Sequence, residues 1–539
     1  MLKRTLCLLA LLATSSIAQT PAPAPTRADI LRGEYGRYRA NNDLLSYHLD
    51  IRVDPEKKFI GGKNTIRFKM LKDDTRIQLD LVSSLNIDRI LMGSSPLKYE
   101  RELNAVFVDF PETVKAGKTV SIDFHYSGNP VETGRFGGFT FKKDPAGHHW
   151  INSSCEGPGA MVWWPNKDQW RDEVENMRIS VAIPNDLVDV SNGKFAGKTD
   201  LGDGYTRWDW FVQYPINNYD VSVNIGNYTH FADRLGDLKL DFYALPENIE
   251  KARQQFAQAK PMIEAFEHYF GEYPFKKDGY KLIEAPYSGM EHQSAVTYGN
   301  RYANGYLERD WTGVGISLKF DFIIIHESAH EWFGNAVTAT DVSDMWIHEG
   351  WATYLECLYV ERLFGYDDAL KYTNAYKSKV QNRTPIIAPR GIHRDPPQDM
   401  YFKGALMLHT LRNVVNDDRK WWKLIRDVYD RFKYQTTTTE EMVSFFNQRA
   451  GMDLTPIFDQ YLRHTAIPTL ELKFDEAEKT VSYRWAADAK NFAMPVRAGK
   501  QGEWQLIAPA LEWKSMPTAL TKDQFEVATE LYYVNVRKR

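Results

Sequence analysis

Three cysteines in 539 residues are too few to hold a fold together by disulfides. Cys7 falls in an N-terminal apolar run, leaving Cys155 and Cys357, which one disulfide or two free thiols would explain equally well. Basic residues are not in excess. Against 67 Lys and Arg stand 71 Asp and Glu, a net charge of −4, so the basic footprint of a nucleic-acid binder is missing and no such partner is expected. No apolar run reaches the roughly 20 residues a bilayer-crossing helix needs, so no transmembrane segment is expected. Internal repeats are also missing. Aromatic residues are plentiful, with 15 Trp, 29 Tyr and 28 Phe, which excludes a largely disordered chain.

What is present has a clear order along the chain. Lys3 and Arg4 precede the apolar residues 6–13, and Ser16-Ile17-Ala18 offers small side chains for cleavage. Residues 1–18 therefore read as a signal peptide, and the mature protein is expected in a periplasmic or extracellular space. Residues 19–43, which start rich in Pro, Ala and Thr, read as a flexible leader. From 44 to 235 apolar and polar residues alternate, as in Tyr47, Leu49, Ile51 and Val53, with Gly61-Gly62 and Gly128-Asn129-Pro130 as turn signals; this predicts an all-β domain. From 236 to 465 the apolar spacing becomes helical, predicting helices over 248–270, 316–335, 348–363, 402–415, 420–433, 439–450 and 455–463, the last with Thr455 as N-cap. Alternation returns over 466–539 and predicts a small β-sandwich module. The fold class is multidomain α+β.

The chemistry concentrates in His326-Glu327-Ser328-Ala329-His330. On a helix, residues i and i+4 share a face, so both imidazoles can address one Zn²⁺. Glu327 lies one position round, placed to hold a water rather than the metal. A catalytic zinc needs a third protein ligand and an open position. Glu349 follows His330 after eighteen intervening residues, and a helix, a turn near 338–343 and a return helix would bring it back to the metal. Glu356, two turns further along the same face, is expected to accept a hydrogen bond from a ligating histidine.

With these motifs the chain resembles the gluzincin aminopeptidases of the aminopeptidase N and leukotriene hydrolase family. H-E-x-x-H, eighteen residues and Glu is that family's zinc signature, and Trp332-Phe333-Gly334-Asn335 matches its W-F-G-N stretch. Ser288-Gly289-Met290-Glu291-His292 stands where the family has G-A-M-E-N, departing at Ser288, Gly289 and His292. Glu156, in Ser153-Ser154-Cys155-Glu156-Gly157, stands at the acidic position of the family's Q-C-E or Q-C-Q. Tyr401, ahead of Phe402-Lys403-Gly404, stands where the family has its oxyanion-stabilising Tyr.

The resemblance implies a thermolysin-like catalytic domain over 236–465 and one Zn²⁺ per chain, held by His326, His330 and Glu349. It implies Glu327 as general base, Tyr401 as oxyanion donor, and Glu291 with Glu156 gripping the free N-terminus of a peptide. Gly289 and Met290 would line the substrate backbone, and Tyr287 is expected as a wall of the pocket for the first side chain. The family's long C-terminal helical domain has no counterpart here, so an open cleft is expected. The activity implied is removal of N-terminal residues from peptides. A zinc endopeptidase of thermolysin type, an epoxide hydrolase on the same zinc site and a catalytically dead peptide binder are the rivals; the intact set of ligands, base and Tyr speaks against the last.

Overall fold

The computed structural model describes residues 24–133 and 137–539, so the signal-peptide reading lies outside the described residues. The alternation after residue 42 forms strand Asn42–Asp54, whose Tyr47, Leu49, Ile51 and Val53 are buried on one face. This strand lies inside an eight-stranded sheet, antiparallel to Phe59–Met70 and parallel to Asn176–Pro184. Strand Lys194–Asp200 closes the sheet at one edge. Beside this sheet lie a four-stranded and a three-stranded one, and the N-terminal region is β-rich, as the alternation predicts.

The described part of the leader, from residue 24, departs from its predicted flexibility, and residues 19–23 lie outside the described residues. Residues Arg27–Gly33 form helix α1 and Arg37–Ala40 form α2. Thr26 and Asp29 make a reciprocal capping box on α1. Arg39 is fully buried: its guanidinium donates to both Asp80 carboxylate oxygens, at 2.7 and 2.8 Å, and to the carbonyls of Leu31, Arg32 and Glu34. The order thus comes from a partner in a later strand, which local composition does not reveal.

The second region begins with a five-stranded mixed sheet, in the order Thr229–Leu235, Leu238–Ala244, Tyr280–Glu284, Val296–Tyr298 and Gly289–Met290. The last of these is an edge strand. Nine helices of the described residues follow from residue 249: α3 Ile249–Gln255, α4 Ala259–Phe270, α5 Phe322–Ala329, α6 Trp346–Phe364, α7 Tyr366–Ala375, α8 Asp399–Val415, α9 Asp418–Phe432, α10 Thr439–Ala450 and α11 Thr455–Arg463. Four differ from expectation: the helix expected over 248–270 is two, α3 and α4, joined by a tighter turn at Phe256–Gln258. The predicted 316–335 helix is regular only over α5, because the chain leaves helical geometry at Phe333 and Gly334. Helix α7 is additional. Thr455 is the first residue of α11 rather than its cap, which is Leu454.

Over the C-terminal residues two small sheets share a core that includes Trp485, Phe492 and Met494. Cys155 and Cys357 are both buried and unpaired, which leaves the two-thiol alternative. No helix among the described residues is long and apolar enough to cross a membrane.

Candidate active site

Helix α5 starts where Asp321 accepts from the amides of Ile323 and Ile324, at 3.1 and 3.3 Å. The Asp321 carboxylate is itself fixed by Tyr298, Gln255 and Asn300. The capped helix presents His326 and His330 side by side. Glu349, in the first turn of α6, comes back to them: its Oε2 lies 3.3 Å from Nε2 of each histidine. These three side chains form the one metal-capable group of this kind among the described residues.

The rest of the hydrogen bonding fits a metal there. His326 donates from Nδ1 to Glu356 Oε1 at 2.7 Å, and His330 donates from Nδ1 to the Phe333 carbonyl at 3.1 Å. Each ring thus commits one nitrogen to a protein acceptor and turns the other toward Glu349, as metal-ligating histidines do. Glu349 Oε2 has no hydrogen-bond donor of its own. Burial opposes the Glu349 charge, but His330 and His326 outweigh it and hold its carboxyl below the usual range. Two imidazoles and a buried carboxylate are a zinc-type donor set.

The Phe333 carbonyl is available because the helix breaks. Gly334 sits at φ 132°, where L side chains are strained, and a Cβ on it would come within 3.0 Å of His330 Nδ1. Asn335, next in the motif, donates from Nδ2 to the Glu291 carbonyl at 2.7 Å. The Phe-Gly-Asn stretch thereby ties the second histidine to Glu291, which follows edge strand Gly289–Met290. Behind His326, Glu356 accepts from Tyr372 at 2.8 Å and also from Tyr376. Neither tyrosine was singled out from sequence, because α7, which carries Tyr372, and the turn Tyr376–Lys379 after it hold no motif.

A cavity of about 1430 Å³ opens over this cluster. Glu327, Glu349 and His326 line it, together with Gly289, Met290, Glu291, Glu156 and Tyr401. Burial pushes the Glu327 carboxyl up to about 8, with His326 pulling the other way. Burial also raises the Glu156 carboxyl well above its ordinary value, and Glu291 is the next largest cause. One carboxylate oxygen on each of Glu156 and Glu291 lacks any protein donor. Burial keeps Tyr401 protonated, with the Glu349 charge next in effect, and its hydroxyl donates to Glu349 Oε1 at 2.8 Å.

Two glycines of adjacent helices bring Tyr401 there. A Cβ on Gly404 of α8 would lie 2.9 Å from the Cα of Gly350 in α6, and one on Gly350 would lie 3.0 Å from the Met400 carbonyl. The helices cross in backbone contact immediately beside Glu349 and Tyr401. Tyr287 is the exception among the expected site residues. It does not line the cavity, and its hydroxyl donates to the Ser153 carbonyl at 3.0 Å. His292, where the family motif has Asn, is fully buried, and burial pushes its imidazole down to about 3, so it is neutral.

Histidine and glutamate donors on two helices, set beside an acid-lined edge strand, define a metal-dependent hydrolase centre of the H-E-x-x-H type. Comparison with known proteins narrows that class. The Peptidase M1 N-terminal domain matches residues 44–218 and the Peptidase family M1 domain matches residues 254–461. The chain belongs to peptidase family M1. It is 24% identical over 415 residues to "Probable aminopeptidase 2" of Sulfurisphaera tokodaii, covering 74% of this chain and 51% of that protein. It is 24% identical over 468 residues to human "Endoplasmic reticulum aminopeptidase 1", covering 81% and 49%. The chain thus spans about half the length of these relatives. Its fold is similar to that of a mutant M1 zinc metallopeptidase from Deinococcus radiodurans solved with a Tyr-Ser-Ala substrate, with TM-score 0.64 and 20% identity over 80% of this chain and 96% of that one.

Proposed function

We propose that the protein is a zinc-dependent aminopeptidase that hydrolyses the first peptide bond of peptides with a free N-terminus. The observation that carries this reading is the pair Glu156 and Glu291. Both line the cavity over the His326, His330 and Glu349 cluster, and each has a buried carboxylate oxygen without a donor. An ammonium group satisfies such oxygens, and a blocked, neutral terminus does not.

His326, His330 and Glu349 would hold one Zn²⁺, which when bound lowers the pKa of water and polarises a carbonyl. Glu327 takes a proton from the attacking water and returns it to the leaving amine. Tyr401 offers its O–H to the charge that develops on the carbonyl oxygen. Edge strand Gly289–Met290 runs beside the site and can pair with the backbone of an extended peptide. Because Glu156 and Glu291 fix the terminus, one residue leaves per cycle. In this reading Lys3, Arg4 and the apolar residues after them direct export, so the peptides are met outside the cytoplasm.

The test is a matched peptide pair, one free and one N-acetylated, incubated with and without a zinc chelator. Stepwise release from the free peptide alone, abolished by chelation, is the expected result. Internal cleavage of the acetylated peptide would overturn the amine anchor and leave an endopeptidase. Turnover of neither peptide, by protein shown to bind zinc, would overturn the peptidase reading itself.

A further inference from the structure

A second cavity, of about 520 Å³, lies between the N-terminal sheet and the five-stranded sheet and shares no lining residue with the first. One wall is the closing edge of the eight-stranded sheet, with Lys194 and Phe195 on the edge strand and Trp208 and Trp210 on its neighbour. The other wall carries Arg234, Lys239, Lys277 and Lys281. The volume falls in the range of about 300–1,000 Å³ usual for small-molecule sites.

Its charge is not internally balanced. Six Lys and Arg line the cavity against three Asp, in a protein whose net charge is −4. Two of the three carboxylates are committed. Asp241 pairs with Lys239 and His230, and Asp278 accepts from the Gln213 amide and side chain. Among the described residues Lys194, Arg234 and Lys277 form no ion pair. At the floor, Lys281 is 2% exposed and spends one ammonium proton on the Gly193 carbonyl, at 2.6 Å. Among the described residues no carboxylate lies within ion-pair distance of it; burial pushes its ammonium down to about 8, with the charges of Asp278, Asp241 and Glu331 pulling the other way. A buried cation in this state is costly unless an anion reaches it.

On the aromatic side of the cavity Lys198 lies 5.0 Å over the Trp208 ring and Lys281 5.5 Å over the Trp210 ring, which leaves Phe195 as the open face. Phe195 is 43% exposed, and its ring packs 5.7 Å from Trp208 and 5.2 Å from Trp210. Trp208 Nε1 is buried without an acceptor. The exposed Phe195 ring and the half-buried Trp208 beside clustered Lys and Arg suit a ligand that is planar at one end and multiply anionic at the other.

We propose that this cavity binds a nucleoside phosphate, with Lys194, Arg234 and Lys277 on the phosphates and Phe195 and Trp208 against the ring system. The site is separate from the hydrolytic centre, so its ligand is an effector or a tether and not a substrate.

Titration calorimetry of the full zinc-loaded protein tests this with ADP, adenosine and inorganic phosphate as probes. ADP is expected to bind more tightly than either fragment. Combining Lys194→Ala with Arg234→Ala is expected to weaken ADP roughly tenfold or more, and Phe195→Ala to weaken ADP while leaving phosphate unchanged. These side chains are exposed and remote from the hydrolytic centre, so peptide hydrolysis should be unaltered in the absence of ADP. ADP binding that survives the substitutions places the nucleotide elsewhere, for instance at the metal, and overturns the proposal. Absence of ADP binding at millimolar concentration overturns it as well, as does equal affinity for ADP and phosphate.

Discussion

Gly289 has no room for a methyl group: a Cβ there would lie 2.6 Å from Ile323 Cγ2 and 2.8 Å from both Cγ and Oε1 of Glu327. The edge strand therefore runs against the zinc helix at its closest at the proposed base. Gly289→Ala is expected to push Glu327 aside and lower kcat by about tenfold or more, with a smaller change in KM, since small misplacements of a catalytic group are costly. Steady-state kinetics on a free-terminus peptide would show it; an unchanged kcat would mean that Ile323 yields instead of Glu327. A different residue reports on pH. Asp189 is fully buried, accepting from Trp210 Nε1 at 2.9 Å and from Ser191, and burial pushes its carboxyl up to about 8. The folded protein thus keeps a proton that the unfolded chain releases near the ordinary 3.8. The contribution to stability is full below that value and is lost as pH rises through 8. The melting temperature of the natural protein, relative to Asp189→Asn, is expected to fall between pH 5 and pH 8.5, and melts of both at the two pH values check the sign.

At the scale of elements, the crossing of α6 and α8 decides where Tyr401 points. Gly350 and Gly404 meet backbone to backbone, and one turn away Tyr401 reaches Glu349. Gly404→Val is expected to spread the helices at a cost of about 1–3 kcal/mol, the range for overpacking. It should also lower kcat nearly as far as Tyr401→Phe, which keeps the fold. Thermal melts and kinetics on the two variants separate the effects; Gly404→Val with full activity would show that the crossing does not position the hydroxyl. The glycine is plain in sequence, yet it reads there only as part of a motif. Likewise the break at Phe333 and Gly334 is invisible to helical periodicity, which continues to Asn335. A positive φ beside a histidine ring is a property of the folded backbone. Helix α1 shows the same limit from the other side, for its order depends on α2 and on Asp80 of a later strand.

For the whole molecule, the proposed metal cluster is also a stability element. His326, His330, Glu349, Glu327, Glu291 and Glu356 are all buried together. A dication bound by the first three would offset the carboxylate charge, and binding to the folded state alone stabilises by mass action. At a free concentration of 100 times Kd that amounts to about 2.7 kcal/mol. Metal-stripped protein is therefore expected to melt lower than zinc-loaded protein, and His330→Ala to lose most of that difference; scanning calorimetry with and without added zinc measures both. The proposed amine site is equally a whole-molecule property. Glu156 follows strand His149–Ser154 of the N-terminal region, whereas Glu291 follows the edge strand of the second. Contacts such as Asn192 Nδ2 to the Gln293 carbonyl, at 2.8 Å, and the Gly193 amide to Ser294 Oγ, at 2.9 Å, lock the two regions beside that edge.

By itself the sequence determined what is local or periodic. It determined the two histidines one helical turn apart, the glutamate at its fixed spacing, the alternation of the sheets and most of the helices, because each depends on a repeat length the backbone imposes. Tertiary structure alone decided the rest. It set Glu156 and Glu291 in one cavity, gave the Phe333 carbonyl to His330, closed α8 onto α6, ordered residues 27–40 through Arg39 and Asp80, and bound the Tyr287 hydroxyl to the Ser153 carbonyl. Apart from the Phe333 carbonyl, which a local break in the helix frees, each of these needs two segments distant in sequence to meet at hydrogen-bond or van der Waals distance, and no period along the chain encodes that meeting.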